Sequence, residues 1–271
     1  MAEADTGRRD ETEDARSRRG IYLLPNLFTT GALFSGFYAI VAAMGGRYEA
    51  AAIAVFVAMI LDGVDGRVAR ITHTQSAFGT EYDSLSDMVS FGLAPGLVMY
   101  EWALVHMKEM SWLWAKLGWL AAFFYAASAA LRLARFNTRV GHADKRFFQG
   151  LPSPSAAAIL VGMVWAFHDL GFQGSQLRIP ALLVTVAVAV LMVSNATYVS
   201  FKDLDLRNRV PFVAVLAIVL AFILASIDPP KVLFAVFALY GLSGPALSVW
   251  RWRRKRAMRR RRHRSPGQPR G

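Results

Sequence analysis

Residues 61–87 read LDGVDGRVARITHTQSAFGTEYDSLSD and connect two apolar segments of the chain. Four aspartates stand in or beside these segments: Asp62, Asp65, Asp83 and Asp87. An ionised carboxylate at membrane depth is costly, so such residues usually line a wet functional cavity. The first two are three residues apart and the last two are four apart, so each pair shares one face of a helix. Two helices joined by a short turn would bring the pairs together.

Carboxylates gathered at one point repel one another unless cations neutralise them. The chain contains no cysteine, which excludes thiolate metal sites and disulfides. All-oxygen ligation suits Mg²⁺, Mn²⁺ or Ca²⁺ rather than zinc. Single aspartates are often helix caps or solvated residues, and Asp83 alone fits an N-cap as well. All four at helical spacings, together with Arg67 and Arg70, favour a metal site.

The rest of the chain is typical of a membrane protein. Of its 271 residues 55% are hydrophobic, and they gather in runs of roughly 20, the length of a helix that crosses a bilayer. We predict an all-α polytopic membrane helix bundle of about eight transmembrane helices over residues 21–250. A disordered cytoplasmic tail, 1–20, precedes it and a basic cytoplasmic tail, 251–271, follows it. The predicted spans are Ile21–Met44, Ala50–Leu61 with a polar continuation to Ile71, Asp83–Val105, Ser111–Phe136, Ser153–Leu170, Pro180–Phe201, Val210–Ile227 and Lys231–Trp250.

The distribution of charge predicts the orientation of the bundle. Eight spans place both termini on one side of the membrane, and 26 of the 31 lysines and arginines fall on that side. The positive-inside rule therefore predicts cytoplasmic termini and a cytoplasmic site in the cell (inner) membrane. The net charge of +12 indicates an anionic partner. For the tail from Arg251 onward, nucleic-acid binding is one interpretation, but directly after an apolar span we favour anionic membrane lipid and expect no nucleic acid.

Two glycines accompany the aspartate pairs. Gly66 follows Asp65, and Gly79 lies four residues before Asp83. A missing side chain lets a nucleotide or pyrophosphate approach the backbone, although it equally permits close packing of membrane helices. Arg70, one turn beyond Gly66, is placed to pair with phosphate.

These residues resemble the signature of the CDP-alcohol phosphatidyltransferase family. That signature reads D-x-x-D-G-x-x-A-R, eight residues, then G-x-x-x-D-x-x-x-D. Every fixed position is filled in this chain, by Asp62, Asp65, Gly66, Ala69, Arg70, Gly79, Asp83 and Asp87. The resemblance implies a six-helix family core, to which this chain adds two helices, and a homodimer.

The resemblance also implies residue roles. The first three aspartates would bind metal, Mg²⁺ or Mn²⁺ in a two-metal site, and Asp87 would bind the second metal and serve as the catalytic base. Contacts with the CDP-lipid would come from Gly66, Ala69, Arg70, Ser76 and Gly79, and from Asn26 in the stretch Pro25–Phe28.

The stretches around the signature resemble the family members that use serine. These are DSLSDMVSFGLAP (83–95), RLARFN (132–137) and FQGLPSP (148–154). Members that make phosphatidylglycerophosphate tend instead to carry proline after the third aspartate and lysine after the fourth, where this chain has Ser84 and Met88. Arg132 and Arg135, three residues apart, suit the carboxylate of serine. The alternative is that both are positive-inside anchors.

The expected reaction is transfer of the phosphatidyl group from CDP-diacylglycerol to L-serine, with release of CMP. Another acceptor, such as glycerol phosphate, inositol phosphate or choline, is the alternative within the family. A non-catalytic membrane transporter is the alternative from another class, and it would favour polar residues near mid-membrane in several spans.

Overall fold

The structure, a computed structural model, describes residues 25–72, 76–138, 147–199, 223 and 226–263. Over these residues the fold is helical. The helices are α1 (Pro25–Met44), α2 (Tyr48–Ile71), α3 (Ala77–Asp87), α4 (Ala94–Trp102), α5 (Trp112–Asn137), α6 (Ser153–Asp169), α7 (Arg178–Val193) and α8 (Pro229–His263). A π-helical turn, Met88–Leu93, joins α3 to α4, and a 3₁₀ helix, Leu104–Glu109, follows α4. Two three-residue strands, β1 (Phe147–Gln149) and β2 (Thr197–Val199), pair antiparallel.

The predicted class, a helical membrane protein, is confirmed. Among the described residues three helices are long and apolar enough to cross a bilayer: α1, α5 and the first 20 residues of α8, Pro229–Ser248. Helix α7 is apolar but shorter. The number of crossings stays a prediction, because most of the predicted span Val210–Ile227 lies outside the described residues. The tail 1–20 lies outside them too.

Two predicted boundaries differ from the structure. The sixth span was expected to continue to Phe201, but α7 ends at Val193 and the chain turns into β2. Ser194 adopts an extended conformation and its Oγ accepts a hydrogen bond from the backbone N–H of Ala196 at 3.2 Å. Such local bonding by serine competes with helix continuation. The last apolar span was expected to end at Trp250 and ends at Ser248, while helix α8 itself continues to His263.

The helices run back and forth between two ends of the bundle. At the first end, Thr29 near the start of α1 contacts Asp65 near the end of α2, and we call it the aspartate end. At the opposite end lies the turn between α1 and α2, where Gly46 has a φ of 70°. Tyr48, which begins α2 there, donates a hydrogen bond from its Oη to the carbonyl of Glu101 at 3.1 Å. The carboxyl end of α4 therefore belongs to the opposite end.

Small residues let the helices approach closely. Buried alanines line α1 and α2, as is common where packing rather than hydrophobic exclusion holds membrane helices together. One close approach is that of α1 to the π-helical turn: a β-carbon built on Gly36 would lie 2.6 Å from Ser90 Oγ. The Ser90 hydroxyl donates to the carbonyl of Ala32 at 3.0 Å. Any larger residue at position 36 would push these two elements apart.

The π-helical turn directly after Asp87 is held from two sides. Besides the bond from Ser90 to α1, Tyr125 of α5 donates a hydrogen bond from its buried Oη to the carbonyl of Phe91 at 2.9 Å. A π-turn leaves carbonyls for such external donors, and such turns occur frequently at functional sites. These contacts fix the carboxyl end of α3, where Asp83 and Asp87 are located.

The charge distribution makes a prediction about topology. Because the chain lacks cysteine, any introduced cysteine is a single reporter. We expect Lys108→Cys, at the opposite end, to react with a membrane-impermeant maleimide in intact cells. Ser17→Cys and Ser265→Cys should react only after permeabilisation, since the aspartate end is predicted to be cytoplasmic. Labelling of either tail in intact cells would contradict this orientation.

Candidate active site

Three of the four aspartates converge at the aspartate end of the bundle. One carboxylate oxygen from each of Asp62, Asp83 and Asp87 lies within 4.8 Å of one from each of the others. Asp62 is fourteen residues from the start of α2, or ~21 Å along the helix, while the other two lie on one face of α3. Their side chains are all half-buried. Three negative charges so close together repel strongly, and a cation between them would offset that repulsion.

Asp65 lies beside this group but has a different partner. Its side chain is buried, and its Oδ2 accepts a hydrogen bond from the hydroxyl of Thr29 on α1 at 2.7 Å. The same hydroxyl also lies 3.1 Å from the carbonyl of Pro25. Asp65 is therefore oriented by α1. Its carboxylate lies outside the close group of Asp62, Asp83 and Asp87 and acts on that group through its charge.

The residues present fit a hard divalent cation. Asp83 Oδ1 is buried and has no hydrogen-bond partner within the described part of the chain. A buried carboxylate oxygen without a donor is unfavourable, and a metal ion is the partner that a set of carboxylates selects. The alternative role of Asp83 as an N-cap is wrong, because the hydroxyl of Ser76 caps α3 and Asp83 lies in the helix interior.

The surface of α2 next to the aspartates is open. A β-carbon built on Gly66 would meet no heavy atom of the described residues within 4 Å, so this glycine is not needed for packing against any of them. One turn further, the exposed Arg70 donates from its Nε to the carbonyl of Gly66 at 2.7 Å. The remaining donors of its guanidinium stand beside an open stretch of backbone, a combination that suits a phosphate group. Ala69 is half-buried on the same helix.

The amino ends of α1 and α3 meet on the other side of the group. The backbone N–H of Gly79 donates to Ser76 Oγ at 3.0 Å. A β-carbon built on Gly79 would lie 3.2 Å from that oxygen and 3.5 Å from Asn26 Oδ1. Gly79 thus permits the approach of α1 to α3, and Asn26 and Ser76 stand together where their side chains border the site. Ligand contacts of these three residues stay a prediction.

Arg132 of α5 lies next to the start of α6 at the aspartate end of the bundle. Its Nη1 donates to the hydroxyl of Ser153, the first residue of α6, at 2.8 Å. Its Nε is buried and has no hydrogen-bond partner among the described residues. The guanidinium lies within electrostatic range of Asp87 and also of Tyr125 and Tyr240. A half-buried guanidinium whose Nε has no partner among the described residues, within electrostatic range of Asp87, is a ready contact for an anionic part of a substrate.

Arg135 is directed elsewhere. Its Nη2 donates to Asn195 Oδ1 at 2.7 Å, so it ties α5 to the segment between α7 and β2. Two residues on, Asn137 Nδ2 donates to Ser84 Oγ at 3.0 Å and ties the same end of α5 to α3. The sequence treats Arg132 and Arg135 as an equivalent pair. In the structure Arg132 lies within electrostatic range of Asp87 and Arg135 contacts Asn195, and contact of either arginine with a ligand stays a prediction.

Comparison with known proteins agrees with this geometry. Residues 22–201 match the family described as CDP-alcohol phosphatidyltransferase, a range that contains the four aspartates and both arginines. The chain belongs to that family. The matched range ends shortly after β2, so α8 lies beyond it.

Several members of the CDP-alcohol phosphatidyltransferase family are similar to this chain over most of its length. A CDP-diacylglycerol–serine O-phosphatidyltransferase of Helicobacter pylori is 33% identical over 222 residues, which cover 82% of this chain and 90% of the relative. One from Mycobacterium tuberculosis is 40% identical over 157 residues, 55% of this chain and 52% of the relative. An archaetidylserine synthase of Methanothermobacter thermautotrophicus is 34% identical over 177 residues, 65% of this chain and 69% of the relative.

Sequence reasoning missed three residues that the structure places at the site of this family member. Thr29 orients Asp65, Ser153 orients Arg132, and Tyr240 of α8 lies within electrostatic range of Arg132. Thr29 follows the Pro25–Phe28 stretch, and Ser153 lies within FQGLPSP, so both were adjacent to or inside motifs already singled out. Tyr240 had no signal in the sequence, because it lies in an apolar span far from the signature.

Proposed function

We propose that this chain transfers the phosphatidyl group of CDP-diacylglycerol to L-serine, giving phosphatidylserine and CMP. The observation that carries the proposal is the half-buried guanidinium of Arg132 within electrostatic range of Asp87, which belongs to the group of Asp62, Asp83 and Asp87. The group suits a diphosphate that is held through metal, and the guanidinium suits an acceptor that carries a carboxylate. Relatives named for this reaction, which match most of the chain, support the same choice.

The site residues have separate roles in this proposal. Asp62, Asp65, Asp83 and Asp87 would hold Mg²⁺ or Mn²⁺, and the bound metal would supply positive charge to offset that of the diphosphate and of the departing CMP. Gly66 leaves room for the diphosphate against the backbone of α2, and Arg70 pairs with its oxygens. Asn26 and Ser76 border the nucleotide from the amino ends of α1 and α3.

Asp87 would take the proton. The serine Oγ attacks the phosphorus that bears the lipid, and the bond from that phosphorus to the oxygen of CMP breaks. A serine hydroxyl is a poor nucleophile at neutral pH, so its proton must leave as the new P–O bond forms. Asp87 is a site carboxylate within electrostatic range of Arg132. We therefore expect a serine whose carboxylate rests on Arg132 to present its hydroxyl to Asp87.

The location follows from the same arrangement. CDP-lipid headgroup, serine and divalent metal would all reach the aspartate end from the cytoplasm, so we place the site at the cytoplasmic face of the cell (inner) membrane. A homodimer, which the family resemblance implies, stays a prediction.

An acceptor panel tests the proposal directly. Purified protein with CDP-diacylglycerol and Mn²⁺ is offered serine, glycerol phosphate, inositol phosphate, choline or ethanolamine, and the lipid product is identified. We expect phosphatidylserine and an equal amount of CMP. Preference for another alcohol would contradict serine as the acceptor but would still agree with phosphatidyl transfer. A protein that releases no CMP with any acceptor would favour the transporter interpretation.

The two arginines offer a matched pair of variants. We expect Arg132→Gln to raise the KM for serine at least about 30-fold, because loss of one partner of a buried charged pair costs about 2 kcal/mol or more. Arg135→Gln removes the same charge from the same helix, but its guanidinium bonds to Asn195. We expect that variant to change the serine KM less than about threefold. Serine titrations at saturating CDP-diacylglycerol measure both. A serine KM that stays unchanged in both variants would return both residues to the role of membrane anchors, and an equal large rise in both would contradict the distinction between them.

A further inference from the structure

Helix α8, which contains Pro245, extends beyond its apolar segment. The apolar part, Pro229–Ser248, is 20 residues long, enough to cross the hydrocarbon core. The helix then continues to His263. At about 1.5 Å per residue, this adds a helical rod of ~22 Å beyond the apolar part. We call residues 251–262 of this rod the basic extension.

The basic extension leaves the bundle at the aspartate end. Helices α6 and α8 pack antiparallel: a β-carbon built on Gly162 would lie 3.2 Å from Phe234 Cα, and one built on Gly241 would lie 2.8 Å from Ile159 Cδ1. Moving along α8 toward its carboxyl end therefore means moving toward Ser153, which contacts Arg132. The extension and the site thus share one face of the membrane.

The sequence of the extension is strongly basic. Residues 251–262 read RWRRKRAMRRRR, so nine of twelve are arginine or lysine. At 100° per residue, the three uncharged positions, Trp252, Ala257 and Met258, fall on three different sides of the helix. The pattern has no apolar stripe, so the extension differs from an amphipathic helix that embeds one face in the lipid. Its attraction to a membrane must be electrostatic.

We propose that the basic extension binds anionic phospholipid headgroups around the site, and that its first turns make the contacts. The headgroup region is about 5–7 Å thick on each side of the hydrocarbon core, and screening reduces charge interactions beyond about 8 Å. Along the helix, 253–256 lie ~7–12 Å past Ser248, whereas 259–262 lie ~16–21 Å past it. The first group of four, the near set, is within reach of the headgroups, and the second, the far set, is not.

The membrane anchor decides between lipid and nucleic acid as partner. Because α8 crosses the bilayer, the near set is held permanently at headgroup depth, where the local concentration of phosphate diesters exceeds that of any dissolved polyanion. The bound chemistry is thus a monoanionic phosphodiester at the end of a lipid, presented by a surface.

Two sets of substitutions with equal charge test the proposal. Arg253, Arg254, Lys255 and Arg256 are changed to Gln in one variant, and Arg259–Arg262 in the other, so each loses four positive charges. A third variant changes the three near arginines to Lys and keeps the charge.

Binding is measured with a fluorophore on Trp252→Cys, which every protein carries and which supplies the only thiol in the chain. In phosphatidylcholine vesicles, quenching by doxyl-labelled phosphatidylglycerol is compared with quenching by doxyl-labelled phosphatidylcholine, at about 20 mM and about 0.5 M salt.

We expect the parent protein to be quenched at least about fivefold more efficiently by the anionic lipid at low salt. The preference should vanish at high salt and in the near-set Gln variant, and persist in the near-set Lys and far-set Gln variants. Equal quenching by both lipids in the parent would overturn the proposal, as would equal losses in the two Gln variants. Loss of the preference on addition of a short RNA at low salt would also overturn the proposal, because the extension would then bind nucleic acid.

Discussion

Asp87→Asn should lower kcat for phosphatidyl transfer to serine by about 10²–10⁴, the usual contribution of a general base. The substitution preserves the shape of the side chain but removes its ability to accept the serine proton. Binding of CDP-diacylglycerol should change little, because Gly66, Arg70 and Ser76 remain. Rates of CMP release at saturating serine and lipid, together with binding of a CDP-lipid to the purified variant, measure both quantities.

Glu81→Gln is the matched control for this variant. Glu81 stands on the same helix, α3, but is exposed and has no place in the proposed mechanism. We expect it to keep kcat within about twofold, as surface substitutions usually do. If Asp87→Asn turned over as fast as Glu81→Gln, proton removal would have to be assigned to another group.

Asp83→Asn should abolish metal-dependent activity and also change the response of the folded protein to metal. Its carboxylate supplies the buried oxygen that has no partner among the described residues. In the presence of EDTA, we expect the variant to be at least as stable as the parent, because one of three mutually repelling carboxylates has lost its charge. Added Mn²⁺ at about 100 times its Kd should stabilise the parent by about 2.7 kcal/mol and the variant by far less.

Thermal unfolding in detergent with EDTA and with increasing Mn²⁺ measures this difference independently of catalysis. Asp62→Asn should behave in the same way, since Asp62 belongs to the same close group. Glu81→Gln again serves as control and should follow the parent. A rise in Tm with Mn²⁺ that is the same in Asp83→Asn and the parent would show that the ion binds elsewhere.

The sequence predicted the helices where a long local pattern sets them. The span Ser111–Phe136 was expected and α5 occupies Trp112–Asn137, because a run of about 20 apolar residues has few alternatives to a membrane helix. The boundary at Val193 was not predictable in this way. It depends on the bond from Ala196 to Ser194 and on the pairing of β2 with β1, which lies some fifty residues away in the chain.

At the site, the sequence by itself determined which residue types are present and which of them share a helix face. The spacing of Asp83 and Asp87 is enough for that, since the period of the helix is fixed by its backbone. The signature likewise placed the chain in its family, because eight fixed residues with a spacer of set length rarely occur together otherwise.

Only the tertiary structure decided which neighbouring element each of these side chains meets. Asp65 turns to Thr29 on α1, whereas Asp62, three residues earlier, joins the aspartates of α3. Arg132 reaches Ser153 and the electrostatic range of Asp87, whereas Arg135 contacts Asn195. The physical reason is that helical periodicity fixes directions around one axis only. The partner in each direction depends on how close small residues such as Gly36 let other helices approach, and that is a property of the packed bundle.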